Sequence, residues 1–300
     1  MFIRDLFRKT GPVISFEVFP PKADAPVEGV YRTIEALKDL APAFISVTYG
    51  AGGTSRDRTV EIASRIRNGY GIEALAHLTC RSHTTGEIDE ICEELLDDGV
   101  QNILALRGDP QPGEDENRQR SFSYACDLVR YLKENHFGNF CIGGAAYPEG
   151  HVECVDPQKD LDYLKMKVDA GVDFLMTQLF FDNDLFYRFR DAAEKKGIAV
   201  PLVAGIFPVL NARQVQRIVS LCGASLPLRF TRIMARYANS PEALAEAGVA
   251  YATDQVVDLL TAGVDGIHLY TMNRPETTRR IMENTALIRK TTSPEGSVNG

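Results

Sequence analysis

The chain has no apolar run near the roughly 18 residues of a membrane span. Its first residues, Met1-Phe-Ile-Arg-Asp-Leu-Phe-Arg-Lys9, hold no apolar core followed by a cleavage site, so no secretory leader is expected. No two of the six cysteines (Cys80, Cys92, Cys126, Cys141, Cys154 and Cys222) form a Cys-x-x-Cys pair. Scattered single thiols suit a reducing compartment, and a cytoplasmic location is expected. Positive charge is also scarce: 33 Lys and Arg against 41 Asp and Glu, a net charge of −8. General nucleic-acid binding relies on clustered positive charge, so nucleic acid is not an expected partner. A local basic pocket for a phosphate is still allowed. There is no Gly-x-Gly-x-x-Gly turn, which weighs against a doubly wound dinucleotide-binding sheet. There is no Gly-x-Ser-x-Gly elbow for a serine nucleophile.

What is present is alternation. Eight short β-branched or aromatic runs recur: 13–19, 44–48, 72–79, 102–106, 140–146, 172–177, 200–207 and 266–270. Helical periods lie between them. Ile88, Ile91, Cys92, Leu95 and Leu96 fall on one helix face, as do Val215, Ile218, Val219 and Cys222, and Ala125, Leu128, Val129 and Leu132. Several helical segments end in Gly before an apolar residue opens the next strand, at Gly71, Gly99, Gly171, Gly197 and Gly263. Eight β-α units in 300 residues, with no linker between halves, read as an α/β fold of the (β/α)₈ TIM-barrel type. One catalytic domain over 1–290 is expected, followed by a polar, frayed tail over 291–300. The stretch Ala224 to Ser240 fits no simple unit and reads as an extra helical insertion near the C-terminal end, before the last helix.

A barrel places its active site at the C-terminal ends of the strands. There the sequence puts Glu17 and Phe19, then Thr48 to Gly53, His77 and Thr79, and Arg107-Gly-Asp109. Tyr147 to His151, Gln178, Pro208 and Tyr270 to Arg274 complete the rim. Glu17 stands in the apolar run Phe16-Glu-Val-Phe19, on the opposite face from Phe16 and Val18. A charge inside a barrel strand is costly. It reads as a carboxyl group whose pKa is raised by apolar neighbours and which handles a proton, in preference to a structural ion-pair partner. Gly50 to Gly53 would admit a bulky ligand or bind phosphate through its N–H groups, although loops often hold such clusters. His77 and Cys80 lack a third and fourth ligand nearby in sequence, so no metal site is expected. His83, His136 and His268 have no supporting context and read as surface or structural residues. Met166 and Met176 read as core fillers, and the Glu93-Glu94 and Asp97-Asp98 pairs as a solvated helix face. No strand end carries the Lys of a Schiff-base aldolase.

Taken in order, Phe16-Glu-Val-Phe-Pro-Pro-Lys22, Thr48-Tyr-Gly-Ala51, Ala76-His-Leu-Thr-Cys80 and Arg107-Gly-Asp109 resemble the motifs of the methylenetetrahydrofolate reductases. So do Ala146-Tyr-Pro-Glu-Gly-His151, Asp169-Ala-Gly-Val-Asp173, Thr177-Gln-Leu-Phe-Phe-Asp182 and Tyr270-Thr-Met-Asn-Arg274. The size is similar to that of the compact bacterial enzymes. The resemblance implies a barrel that binds FAD without a dinucleotide motif. It implies reduction of 5,10-methylenetetrahydrofolate to 5-methyltetrahydrofolate with electrons from NAD(P)H, by a ping-pong mechanism, in a homo-oligomer. By position, Thr48, His77, Arg107, Gly108, Asp109, Tyr124, Ala125, Tyr147, His151, Asp160 and Lys167 would contact the flavin. Glu17, Gln178, Gln214, Tyr270 and Arg274 would contact folate. Glu17 matches the general acid, and Asp109 the carboxylate near flavin and pterin. Ile218 stands where some relatives place a Phe against the ligand. Tyr163 and Met166 replace polar residues that touch the FAD tail in some relatives. Two other readings stay open: a flavin-free pterin-binding methyltransferase, and an electron-transfer subunit of a larger folate-reducing complex. The donor is equally open between NADH, NADPH and a protein.

Overall fold

A computed structural model describes residues 1–8, 11–22, 25–49, 56–81, 83–109, 121–136 and 138–292. Eight parallel strands close into a barrel in sequence order: β1 (Val13–Val18), β2 (Phe44–Val47), β3 (Glu73–Thr79), β4 (Asn102–Leu106), β5 (Cys141–Ala146), β6 (Phe174–Thr177), β7 (Leu202–Ile206) and β8 (Gly266–Tyr270). Each strand lies within the run expected from sequence, trimmed by up to two residues at an end. The helices are α1 (Glu28–Lys38), α2 (Arg56–Ser64), α3 (Thr85–Asp97), α4 (Ala125–Asn135), α5 (Pro157–Asp169), α6 (Asn183–Lys195), α7 (Ala212–Cys222), α8 (Leu228–Arg236), α9 (Pro241–Thr261), α10 (Pro275–Asn284) and α11 (Ala286–Thr291). The five glycines singled out before strands all take positive φ, between 67° and 119°, the conformation a helix-ending Gly supplies.

The stretch Ala224 to Ser240 holds α8, as its odd pattern suggested. It does not precede the last helix: α9 follows it, and β8, α10 and α11 come later still. Three helices thus lie between β7 and β8. The apolar face read on α7 is only partly used. Val215 is buried, while Ile218 and Val219 are half-buried against the cluster around Phe181, Phe207 and Phe230. Of the expected tail, Thr291 closes α11, and 293–300 lie outside the described residues.

Strand alternation divides the core in two. Outward residues such as Phe16, Val18, Ile45 and Val47 pack under the helices. Inward residues Val13, Phe44, Leu75, Leu104, Phe174 and Val203 fill the lower barrel. A 3₁₀ turn over Ile3–Arg8 plugs the bottom: Ile3 is fully buried, and its N–H donates to Asn102 Oδ1 at 2.8 Å. Arg4 and Lys133 both pair with Asp173, at 3.0 and 3.1 Å, and tie the plug to the barrel wall. The six cysteines are free thiols. Burial pushes Cys80, Cys92 and Cys141 up to about 12, so these three are inert at neutral pH.

Gly248 shows how tightly α9 meets the barrel. A Cβ there would stand 1.7 Å from the Val209 carbonyl oxygen, so backbone must move. Gly29 on α1 has nothing within 4 Å of its Cβ position. Gly248→Ala is expected to destabilise by about 2–3 kcal/mol or more through overpacking, and Gly29→Ala to stabilise by about 0.5–1 kcal/mol. Urea unfolding of the two variants checks both signs. Equal midpoints would refute the packing argument.

Candidate active site

Inward side chains change character along the barrel axis. Above the apolar layer come Ser15 and Glu17 on β1, Ser46 on β2, His77 on β3 and His268 and Tyr270 on β8. Barrel closure makes β1 and β8 neighbours, with Ser15 opposite His268 and Glu17 opposite Tyr270. On the other side, Glu17 stands opposite Ser46. His268 is fully buried. Its Nδ1 lies 2.8 Å from Ser15 Oγ and its Nε2 3.3 Å from Ser46 Oγ. Phe44 stacks on one face of its ring, and Tyr270 meets it edge-on at 5.3 Å. These contacts fix the imidazole with Nε2 facing the carboxylate, 3.7 Å from Glu17 Oε2.

Glu17 is 4% exposed. Ser46 Oγ donates to its Oε2 at 3.5 Å, and His77 Nε2 stands 3.6 Å away. Its nearest polar neighbours are therefore imidazole and hydroxyl groups, where the sequence reading expected apolar ones, while Phe16 and Val18 lie on the other face as alternation predicts. Those two point outward, into the helix layer. Burial pushes His77 down to about 4, against the pull of Glu17 and with a small push from His268, so it is neutral at pH 7. His77 Nε2 has no hydrogen-bond partner among the described residues. Burial, then the charge of Glu17, holds Tyr270 well above the usual tyrosine value. Its hydroxyl donates to the Thr177 carbonyl at 2.8 Å. Gly205 permits this: a Cβ there would lie 2.4 Å from that carbonyl and 2.8 Å from the Tyr270 hydroxyl.

This layer floors a cavity of about 690 Å³ at the C-terminal ends of the strands. That size suits a large small-molecule ligand. Ten of the expected site residues line it: Glu17, Thr48, His77, Arg107, Gly108, Asp109, Tyr147, His151, Gln178 and Tyr270. At the rim, Arg107 forms a two-pronged ion pair with Glu153, at 2.5 and 2.9 Å. That pairing raises Arg107 and lowers Glu153 from their ordinary values. Gly108 has φ of 85°, and a Cβ on it would stand 3.0 Å from Thr79 Cβ. Only glycine lets the backbone pass so close to that wall. Tyr147 is pushed up to about 12 by burial, with Arg107 opposing and Asp109 adding to the shift. It meets the His151 ring edge-on at 4.7 Å.

The other expected contacts sit beside the cavity, not on its wall. Tyr124 caps α4 and is exposed, with Ala125 next to it. Asp160, on the neighbouring α5, accepts from the His151 N–H at 3.3 Å. Lys167 Nζ donates to the carbonyl of Ala145, a cavity residue, and burial lowers it to about 8 against the pull of Asp160. Gln214 opens α7 and accepts from the Leu210 N–H at 3.0 Å. Arg274 precedes α10 and is exposed. Gly50 to Gly53 lie outside the described residues.

Three sequence readings need correction. His268 is a buried member of the carboxylate's surroundings, and period-two alternation with Tyr270 was the signal for it. His83 lines the cavity, 2.8 Å from the Tyr49 hydroxyl, where a loop residue gave no periodicity to read. Met166 is 55% exposed on α5 and fills no core, whereas Met176 is buried. His136, paired with Asp89 at 2.9 Å, is structural as expected. Among the described residues, no group of three or more His, Cys, Asp or Glu could hold a metal ion, and no helix is long and apolar enough to cross a membrane.

The family model for methylenetetrahydrofolate reductase matches residues 2–286. The chain belongs to the methylenetetrahydrofolate reductase family. The 5,10-methylenetetrahydrofolate reductase of Pectobacterium carotovorum is 41% identical over 88% of this chain and 86% of its own length. That of Escherichia coli is 39% identical over 88% and 87%. Methylenetetrahydrofolate reductase (NADH) 1 of Arabidopsis thaliana is 36% identical over 95% of this chain, but the chain spans only 50% of that protein's length. Among solved structures, an uncharacterized Clostridium thermocellum protein that binds two copies of 5-methyl-5,6,7,8-tetrahydrofolic acid superposes with a TM-score of 0.65. It covers 96% of this chain at 13% identity, a likeness of fold. In family terms, Glu17 and Asp109, the expected acid and its partner carboxylate, face one cavity.

A buried neutral His77 ties folding to pH. Its folded pKa of about 4 lies below the unfolded value near 6.5, so the unfolded chain binds more protons between them. Its contribution is complete above pH 6.5 and is lost as pH falls toward 4, by up to about 3 kcal/mol. Denaturation at pH 7 and pH 5 should show a smaller loss in His77→Gln than in the wild type. Parallel losses would mean that His77 titrates normally.

Proposed function

We propose that this chain reduces 5,10-methylenetetrahydrofolate to 5-methyltetrahydrofolate, with FAD as cofactor and NAD(P)H as donor. The observation that carries the reading is one buried carboxylate, Glu17, on the floor of a cavity rimmed by Arg107, Gly108 and Asp109. The residues present suit a flavin. Gly108 offers a close backbone approach, and His77 Nε2 is a buried polar atom for a heteroaromatic ligand to satisfy. Arg107 and Lys167 supply positive charge on the side where α4 and α5 pack, suited to a diphosphate. Tyr124, Ala125, His151 and Asp160 border that side. Gln178, Gln214, Tyr270 and Arg274 are left for folate.

Bound FAD would supply hydride transfer, which no side chain can perform. The protein does the rest. The methylene bridge of the folate is unreactive until its five-membered ring opens to a cation, and ring opening needs a proton. Glu17 is the group on the cavity floor that gives it. His77, His268 and Ser46 surround the carboxyl group at 3.5 to 3.7 Å without gripping it. Asp109 faces the developing positive charge from the rim and holds the pterin. The low-lying Glu17 is screened from bulk water by the ligand above it. One cavity serves donor and folate in turn, which makes the reaction ping-pong. The plant relatives carry NADH in their names, so NADH is the donor to try first. Homo-oligomerisation belongs to the same proposal and rests on the family alone.

An anaerobic visible spectrum tests the reading. Flavin bands should bleach with NADH and return on adding methylenetetrahydrofolate. A colourless protein that takes up no FAD would overturn the reading and favour the flavin-free methyltransferase. Bands that respond only to a protein donor would favour the subunit of a larger complex. Glu17→Gln should leave bleaching by NADH intact and lose most of the folate step, by roughly 10²–10⁴-fold. Asp109→Asn should slow the folate step more than the NADH step. Stopped-flow measurement of both half-reactions decides each case.

A further inference from the structure

The exit of β1 is held in an unusual way. The β1–β8 ladder ends at Glu17 opposite Tyr270. Two residues on, Phe19 carries the last N–H before Pro20 and Pro21, which have none to give. No strand partner remains for its backbone on the β8 side. The side-chain amide of Asn273 takes that place: its Oδ1 accepts from the Phe19 N–H at 2.9 Å, and its Nδ2 donates to the Phe19 carbonyl at 2.9 Å. Thr271 makes a second fastening, with Oγ1 donating to the Glu17 carbonyl at 2.5 Å and accepting from the Asn273 N–H at 3.1 Å. To reach this position the chain puts two successive non-glycine residues, Met272 and Asn273, at φ of 52° and 53°. Such backbone is costly for a residue with a side chain and persists only where its surroundings impose it.

The Glu17 side chain is held far more loosely than this backbone. Among the described residues its carboxylate has only long contacts, of 3.5 to 3.7 Å, to Ser46, His77 and His268. Side-chain partners do not pin it. Its height in the cavity is set by the backbone of residues 17 to 19, and that backbone is fastened to the turn after β8. We propose that Asn273 is a positioning residue for proton delivery, whose amide clasps Phe19 and so fixes the Glu17 carboxyl group against the folate. Asparagine suits this position because it tolerates the left-handed region and offers a donor and an acceptor in one plane. The proposal rests on the reading of Glu17 as the acid.

The test uses the FAD-loaded enzyme in stopped-flow. Asn273→Gly keeps the backbone without strain and removes the clasp. Bleaching by NADH should stay within about twofold of the wild type. The folate step at saturating folate should fall on the order of ten- to a hundredfold, as for a misplaced catalytic group. The loss should appear in kcat more than in KM. In a Glu17→Gln background, adding Asn273→Gly should slow the folate step no further, because the group it positions is already gone. A folate step within twofold of wild type overturns the proposal. So does equal slowing of both half-reactions, or an effect of undiminished size in the Glu17→Gln background. If Asn273→Gly gives no folded holoenzyme, Asn273→Asp, which keeps the acceptor and loses the donor, is judged by the same criteria. A wild-type holoenzyme that bleaches with NADH but never reacts with folate would defeat the functional reading first, and this proposal with it.

Discussion

Burying a carboxylate inside a closed parallel barrel is the constraint around which the rest of the structure is arranged. An ionised carboxyl group taken from water without partners loses many kcal/mol of solvation. The barrel meets that demand with geometry that only closure provides. Once β8 lies beside β1, Ser15 faces His268 and Glu17 faces Tyr270. The polar layer that results is two side chains deep, and it rests on Val13, Phe44, Leu75, Leu104, Phe174 and Val203. The lower layer makes the floor rigid. The upper layer makes it polar without adding a second buried charge from His77, which burial keeps neutral at pH 7. Glu17 is thus surrounded but not tightly bonded, with contacts no shorter than 3.5 Å, and its carboxyl group faces the cavity.

Much of this was legible in the sequence because period-two and period-3.6 patterns are local. Eight strand runs and the glycines before five of them gave the barrel, and the barrel gave the site's location, since strand ends must converge. Ten expected residues line one cavity for that reason. What was hidden depends on partners distant in sequence. Alternation with Tyr270 points His268 into the barrel, but its partners Ser15 and Ser46 are more than 220 residues away, so what it meets there has no local sign. The Arg107–Glu153 pair joins two loops 46 residues apart. Met166 looked like core by residue type, yet the α5 surface it occupies is exposed, as is Tyr163 beside it. Alternation correctly put Phe16 and Val18 in the helix layer, but the groups that do face Glu17, Ser46, His77 and His268, come from other strands and could not be read beside it in sequence.

The same reasoning explains the division of labour between floor and rim. On the floor, burial holds His77 and Tyr270 in their neutral forms and leaves Glu17 as the carboxyl group among them. At the rim, Arg107, Asp109 and Glu153 are closer to solvent, where paired charges are tolerated. A ligand spanning both would meet paired charges at one end and the Glu17 carboxyl group at the other. The proposed reaction would hold an anionic cofactor and also protonate a ring, and these needs conflict within one dielectric environment. Phosphate binding wants many positive charges, and proton transfer wants few competing ones. Strand ends and their loops let the barrel separate them by height along its axis. The loop after β8 then joins the two levels, since the turn that clasps Phe19 at the rim is one residue from the Tyr270 that closes the floor. Movement of that turn would be transmitted to Glu17 through the backbone, and the described chain's two successive non-glycine residues at positive φ sit where the floor meets the rim.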